Sequence, residues 1–180
     1  MIHRDDYICP DEIVKEHGWN PRSREYVKRA MEIAEKRRYE RLSSEKNIVL
    51  ETVFSNPEKL KFLKDAKNKG YKVVMNYIYT RNIEINKKRI EKRVREGGHP
   101  VPLDKVATRF VGSLTNLIEA VRQCLLDELV LFDNTYSYES VASVDFFSRD
   151  VAIKGKIWCG EEELKEYFKK LFTAVIQTLV

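Results

Sequence analysis

The stretch from Glu84 to Asn116 constrains the fold more than any other part of the chain, because it reads as two helices joined by a stiff connection. Arg89 and Arg93 are four residues apart, so on a helix they project from one face, beside apolar residues at helical spacing. The connection, residues 97–102, contains two glycines and two prolines, which end one helix and restrict the path to the next. Guanidinium groups bind phosphate oxygens in a fixed geometry, so this arginine-bearing hairpin suits a lid over an anionic substrate.

The second helix of this hairpin carries two predicted stripes of side chains. One is apolar and is expected to be buried; it consists of Leu103, Val106, Phe110, Leu114, Leu117, Val121 and Leu125. The other is polar and consists of Arg109, Ser113 and Asn116. We therefore expect the hairpin to be anchored through its second helix.

The rest of the chain alternates strands and helices. The predicted elements are a helix over 22–42, a strand over 47–50, a helix over 58–70, strands over 71–79 and 128–132, a β-hairpin over 140–147 and 150–158, and a terminal helix over 161–179. Such alternation predicts an α/β fold with a mostly parallel sheet and flanking helices, because each parallel connection needs a crossover. The lid and a C-terminal β-hairpin plus helix complete the predicted architecture.

Composition narrows the class of protein. The 180 residues fit one domain, and 43% hydrophobic with 34% charged residues indicates a globular protein. The N-terminal residues carry charges where a signal peptide needs an apolar core, so a cytoplasmic location is expected, without a membrane partner. Three widely spaced cysteines, Cys9, Cys124 and Cys159, form no zinc-binding pattern and are expected to be reduced.

The net charge of +5 favours anionic partners but does not distinguish nucleic acid from a nucleotide or a sugar phosphate. The most basic segment is the predicted helix over 22–42. Glutamates at positions 25, 32, 35 and 40 interrupt its positive charge, and the segment shows no interleaved aromatic platform on which bases could stack. This pattern favours a solvated helix face, and nucleic-acid binding is the least favoured function.

Three acidic positions lie where strands end. Asp11 follows a short strand and Pro10, near the start of a helix, where a carboxylate is favoured as a cap. Glu51 closes an apolar strand at its carboxyl end, where open α/β sheets bind ligands. Asp133 begins a polar turn after another strand.

A series of motifs adds a more specific indication. The motifs are Glu51-Thr52-Val53-Phe54-Ser55, Lys59-Leu60, the Ala-Lys-x-x-Gly-Tyr of 66–71, Arg93-Val94, Gly97-Gly98-His99-x-Val-Pro, Arg109 with Ser113-Leu114 and Asn116-Leu117, and Asp133-Asn134. Over residues 7–134 their order and spacing resemble the zeta-toxin family of P-loop kinases. The resemblance implies a single P-loop-kinase-like domain over 1–180, of which 137–180 is a C-terminal extension.

The activity implied by the resemblance is a small-molecule kinase that uses ATP or GTP with Mg²⁺. The best-known substrates of the family are UDP-activated N-acetyl amino sugars, and an antitoxin protein is an implied partner. In the family pattern Asp11 accepts the proton of the substrate hydroxyl, with Asp5 and Asp6 as alternatives for this base. Arg93 and Arg109 neutralise the charge that develops during phosphoryl transfer.

The resemblance also implies binding residues. Those for the substrate are Glu51, Thr52, Ser55 and His99. Those for the nucleotide are Arg89, Arg93, Asp133 and Asn134.

One departure from the family pattern is large. A P-loop kinase holds its nucleotide with Gly-x-x-x-x-Gly-Lys-Ser/Thr at the start of a helix, and this sequence contains no such run; its first glycine is Gly18. The expectation is therefore a family member without its first strand and phosphate loop. Two hypotheses follow: a kinase that is catalytic in its intact form, and a non-catalytic or truncated remnant that acts as a binding module.

Overall fold

A computed structural model describes residues 6–96, 101–148 and 150–153. The chain divides between Val53 and Phe54 into two compact units, here called unit 1 and unit 2. The predicted turn over 97–100, which includes His99, and the predicted helix over 161–179 lie outside the described residues.

Unit 1 consists of two strands and two helices. They are β1 (Tyr7–Ile8), α1 (Pro10–Glu16), α2 (Arg24–Ser43) and β2 (Val49–Leu50). Pro10 begins α1, where the backbone N–H that proline lacks would have no partner within the helix. The Ser23 hydroxyl caps α2 by accepting a hydrogen bond from the backbone amide of Tyr26 at 3.4 Å. The two strands pair in parallel, and a small apolar core packs behind them: Ile8, Ile13, Val14, Ala30 and Ala34.

Unit 2 holds the hairpin and a four-stranded sheet. Its elements are α3 (Glu58–Asn68), β3 (Val74–Tyr79), α4 (Ile83–Arg95), α5 (Leu103–Arg122), β4 (Glu128–Asp133), β5 (Glu139–Asp145) and β6 (Asp150–Ile153). The strand order is β3-β4-β5-β6. Helices α4 and α5 confirm the predicted hairpin helices. Among the described residues, no helix is both long and apolar enough to cross a membrane.

The prediction of an α/β fold with a mostly parallel sheet is confirmed only in part. β3 and β4 are parallel, but β4 pairs with β5, and β5 with β6, in antiparallel fashion. Residues 134–138 connect β4 to β5, and so short a connection cannot make the crossover that a parallel partner needs. The sheet of unit 2 is therefore mixed, and the pairing of β5 with β6 confirms the predicted β-hairpin.

The buried side of α5 is narrower than predicted. Val106, Leu117 and Val121 are buried, but Leu103 and Leu114 are 52% and 39% exposed. They share the outer side of the helix with Val111 and Ile118. A polar residue, Asn116, lies on the buried side instead. The expectation that Leu103 and Leu114 are buried is thus wrong, because the helix presents a partly polar side to the body of unit 2.

Candidate functional site

In unit 1 the carboxyl ends of two parallel strands lie at one edge of their sheet. Tyr7 pairs with Val49 and Ile8 with Leu50, so the chain leaves both strands at the same edge. Asp11 follows β1, and Glu51 with Thr52 follows β2; all three residues are exposed. The structure therefore brings these three predicted site residues to the edge where parallel sheets bind ligands.

Asp11 does not cap α1 through its side chain. The N-cap residue is Cys9, which forms no side-chain capping hydrogen bond, and Asp11 lies in the first turn of the helix. A carboxylate there interacts favourably with the helix dipole but need not accept a hydrogen bond. The exposed carboxylate of Asp11 is consequently available to another group.

Glu51 belongs to a small polar cluster on the same sheet. Hydrogen bonding with Cys9, then burial, then hydrogen bonding with Glu51 raise the pKa of the Tyr7 phenol above its ordinary value. Tyr7, Cys9 and Glu51 therefore lie close enough to interact. Sequence reasoning assigned no role to Tyr7, although alternate residues of a strand share a face and place Tyr7 with Cys9.

Asp6, the alternative base, is already engaged. Its carboxylate is buried and forms an ion pair with Arg41, whose Nε donates to the carbonyl of Asn47 at 2.9 Å. A carboxylate held in this way is already engaged by a guanidinium group within the fold. This geometry favours Asp11 over Asp6; Asp5 lies outside the described residues.

In unit 2 helix α4 presents the predicted lid arginines to solvent. None of its thirteen residues is buried, and both Arg89 and Arg93 are exposed. Arg89 Nη2 donates to the carbonyl of Thr135 at 3.3 Å, which ties α4 to the turn after β4. Within the described part of the chain, Arg93 and Arg109 form no ion pair. Both guanidinium groups can therefore meet an incoming anion.

The loop that carries Ser55 is attached to α5. Phe54 has a left-handed backbone (φ +57°), which costs a non-glycine residue about 1 kcal/mol. Its carbonyl accepts a 2.8 Å hydrogen bond from the buried Nδ2 of Asn116. A side chain on Gly112 would place its Cβ 3.0 Å from the carbonyl oxygen of Ser55. The Phe54–Ser55 turn is thus held against α5 at two points.

Further contacts link this part of α5 to the sheet. The hydroxyls of Tyr77 and Ser113 are 3.1 Å apart, and burial raises the pKa of the Tyr77 phenol despite that hydrogen bond. Arg109 is four residues before Ser113 and thus on the same side of the helix. Sequence reasoning missed Gly112, although a lone glycine inside a helical pattern often marks a close backbone approach.

Asp133 is occupied within the structure. Its buried carboxylate accepts from Arg81 Nε at 2.7 Å and from the Thr135 amide at 2.8 Å. Burial acts to raise the pKa of this carboxyl, but the hydrogen bonds from Thr135 and Arg81 outweigh it and hold the pKa below its usual value. The backbone amide of Asn134 donates a hydrogen bond to the backbone carbonyl of Tyr79 at 2.8 Å. Both residues stay predicted nucleotide contacts, and the geometry shows that they also fix this turn.

The same turn borders a cavity of about 310 Å³. Its lining includes Arg81, Asp133, Tyr136 and Glu139. Tyr136 is 92% exposed, so one wall is an aromatic ring open to solvent.

The described residues do not by themselves form a site for a magnesium nucleotide. The sequence contains no glycine-rich phosphate loop, and no described group of three or more His, Cys, Asp or Glu side chains is arranged to hold a metal ion. Mg²⁺ in kinases takes one or two carboxylates together with substrate phosphates, so its site depends on the phosphates being held. The exposed arginines suit phosphate oxygens, but a triphosphate needs the backbone amides of the loop as well.

Comparison with known proteins identifies the family. The zeta toxin family model matches residues 11–141 of the chain. The chain belongs to the zeta toxin family, a family of kinase-like toxins. This confirms the resemblance that the sequence motifs indicate.

Two individual relatives extend the comparison. A solved structure from the PezAT chromosomal toxin-antitoxin system of Streptococcus pneumoniae is similar with a TM-score of 0.55 and 16% identity, over 94% of this chain and 75% of that one. At such identity the likeness shows the fold alone. An uncharacterised protein of Haemophilus influenzae is 38% identical over 61 residues, which are 34% of this chain and 44% of that protein. The chain thus matches less than half the length of this relative.

Proposed function

We propose that the chain belongs to a zeta-toxin-type kinase that transfers the γ-phosphate of ATP or GTP, with Mg²⁺, to a hydroxyl of a small molecule such as a UDP-activated amino sugar. The observation that carries this proposal is the common edge of β1 and β2, where Asp11, Glu51 and Thr52 come together. A carboxylate able to accept a proton, beside a second polar pair able to bind sugar hydroxyls, is what an acceptor site requires.

In this proposal Asp11 accepts the proton of the attacking hydroxyl. Glu51, which interacts with the Tyr7 phenol, and Thr52 bind the acceptor. Arg93 and Arg109 neutralise phosphate charge, and Arg89 assists at the nucleotide. The proposed set also includes His99 and Ser55 as acceptor-binding residues, and Asp133 and Asn134 as nucleotide-binding residues.

We place the protein in the cytoplasm and expect an antitoxin as its protein partner. The similar pneumococcal structure comes from a toxin-antitoxin system, which supports the choice of partner.

A second candidate is favoured by one specific observation. The sequence contains no phosphate loop, and phosphoryl transfer depends on the positioning of the triphosphate more than on any other effect. The alternative is therefore a non-catalytic module that binds the acceptor or a partner without turnover.

Calorimetric titration tests the proposal. Mg-ATP, Mg-GTP and UDP-N-acetylglucosamine are titrated separately into the 180-residue chain, into Arg93→Ala and into Arg95→Ala. Arg95 is an exposed arginine of the same helix with no assigned role, so its substitution removes the same charge. We expect micromolar to millimolar binding of at least one ligand, weakened roughly tenfold by Arg93→Ala and little by Arg95→Ala.

A phosphotransfer assay then separates the two candidates. Transfer from γ-labelled ATP or GTP to the sugar nucleotide supports the kinase. Binding of the sugar nucleotide without transfer supports the binding module, and no binding of any of the three ligands contradicts the kinase and leaves only a module that binds a protein partner.

A further inference from the structure

We propose that Gly112 and Asn116 are positioning residues that hold the Phe54–Ser55 turn on α5 and thereby set the spacing between Ser55 and Arg109 in a site for a phosphate-bearing sugar. The inference rests on the proposed function for its ligand. The clamp on the turn is a property of unit 2 that can be measured without any ligand.

The first attachment is the amide of Asn116. Only 5% of the Asn116 surface is exposed, and its Nδ2 donates to the Phe54 carbonyl at 2.8 Å. The two residues are 62 positions apart in the chain, so this hydrogen bond fixes tertiary structure rather than the local helix. A buried carbonyl without a donor is unfavourable, so loss of the amide opens the turn.

The second attachment is the close packing of Ser55 on Gly112, which is possible because Gly112 has no side chain. A Cβ there would lie 3.0 Å from the Ser55 carbonyl oxygen and 3.4 Å from the Ser55 Cβ. The obstacle is backbone, which cannot rotate away as the end of a side chain can. Any residue other than glycine therefore pushes the turn outward by a few tenths of an ångström.

Arg109 lies on the same side of α5 as both attachments. Positions 109, 112 and 116 are three and four residues apart, so successive members stand about 5 Å apart along the helix axis. The helix position from which the exposed Arg109 side chain extends and the backbone of Ser55 thus belong to one rigid neighbourhood. A hydroxyl and a guanidinium at fixed spacing suit a ligand that has a sugar hydroxyl close to a diphosphate.

Two variants test the clamp, and a third is the control. Gly112→Ala crowds the turn while improving the helix propensity of α5, and Asn116→Asp removes the donor without changing the shape of the side chain. Thr115→Ala is the control, because Thr115 is exposed and its hydroxyl bonds only its own helix, to the Val111 carbonyl at 3.0 Å. Hydrogen exchange over residues 54–57, the Kd for UDP-N-acetylglucosamine and the Tm are measured for each protein.

We expect exchange over 54–57 to be about tenfold faster and binding of the sugar nucleotide about tenfold weaker in both variants, and neither to change in Thr115→Ala. The decisive protein is Gly112→Ala. A merely structural role would make affinity follow the Tm, whereas the positioning role lowers affinity while the Tm stays close to that of the wild type. If Asn116→Asp does not fold, Gly112→Ala alone decides.

Unchanged exchange in Gly112→Ala overturns the proposal. Faster exchange with unchanged affinity overturns the positioning role. If the wild-type chain itself does not bind UDP-N-acetylglucosamine, the proposed substrate class is wrong; faster exchange then still supports the clamp, and unchanged exchange refutes it.

Discussion

The two helices of the hairpin are held in very different ways. Helix α5 buries Val106, Leu117 and Val121 in unit 2, whereas α4 buries none of its residues. Regions that move in proteins have few buried apolar contacts, because opening them costs little free energy. The comparison indicates that α5 is the fixed side of the proposed lid and α4 the side that can open.

The candidate phosphate-binding arginines are divided between the weakly held helix α4 and the firmly held helix α5. Arg89 and Arg93 stand on α4, which is attached to its surroundings by half-buried residues such as Ile90 and by the hydrogen bond from Arg89 to Thr135. Arg109 stands on α5, beside the clamped turn. An anion bound by both helices would therefore close a weakly held element onto a strongly held one.

The largest expected effect is on the fixed side. Leu117→Ala removes a side chain that is only 7% exposed and packed in the core of unit 2, so it should lower the free energy of unfolding by about 2–5 kcal/mol. Urea denaturation followed by circular dichroism measures this. Ile118→Ala is the matched control: Ile118 is the next residue on α5 and is 41% exposed, so its substitution should cost clearly less. Equal losses would mean that α5 is not anchored as described.

The second effect concerns the turn that tethers α4. Asp133→Asn weakens the contacts with Arg81 and Thr135 and should lower the free energy of unfolding by about 1–3 kcal/mol at pH 7. The pKa of Asp133 lies below the ordinary value of 3.8 in the folded protein, so its stabilisation is present above that pH and is lost as the pH falls through the folded pKa.

Denaturation curves of both proteins between pH 7 and pH 2 check this sign. The gap between wild type and Asp133→Asn should narrow only at the acid end. A gap that is constant over the whole range would show that the Asp133 charge contributes no stability.

The sequence predicted the hairpin well because its signals are local. Apolar spacing, the glycines and the prolines lie within the segment that they shape, and α4 and α5 begin within a residue or so of their predicted starts. The direction of β5 follows from the short connection over 134–138, which is too short for a crossover, and no hydrophobic periodicity records that constraint.

The part of the candidate site that lies at strand ends was predictable from the sequence. Strand ends pointed to Asp11 and Glu51, and the parallel pairing of β1 with β2 brings them to one edge. The contacts of Asn116 with Phe54 and of Arg81 with Asp133 join residues 62 and 52 positions apart, so they depend on packing that a sequence pattern does not show.

A smaller effect is expected at the start of the movable side. The Asn82 side chain caps α4, because its Oδ1 accepts a 2.9 Å hydrogen bond from the backbone amide of Glu84. Asn82→Ala should lower the local stability of the first turn of α4 by about 1 kcal/mol, because no residue of α4 is buried and packing does not compensate for the lost cap. Hydrogen exchange should become faster in the first turn of α4 and stay unchanged in α5. Faster exchange in both helices would contradict the separation between them.

The smallest expected effect on stability is the sharpest test of the comparison. Arg93→Ala should change the free energy of unfolding by less than about 0.5 kcal/mol, because Arg93 is exposed and has no ion pair among the described residues. If the substitution leaves stability unchanged but lowers ligand affinity, the Arg93 side chain serves ligand binding and not the fold. Thermal denaturation of Arg93→Ala beside Arg95→Ala measures the stability, and a clear loss in Arg93→Ala only would mean that α4 is held by its arginine and is not free to act as a lid.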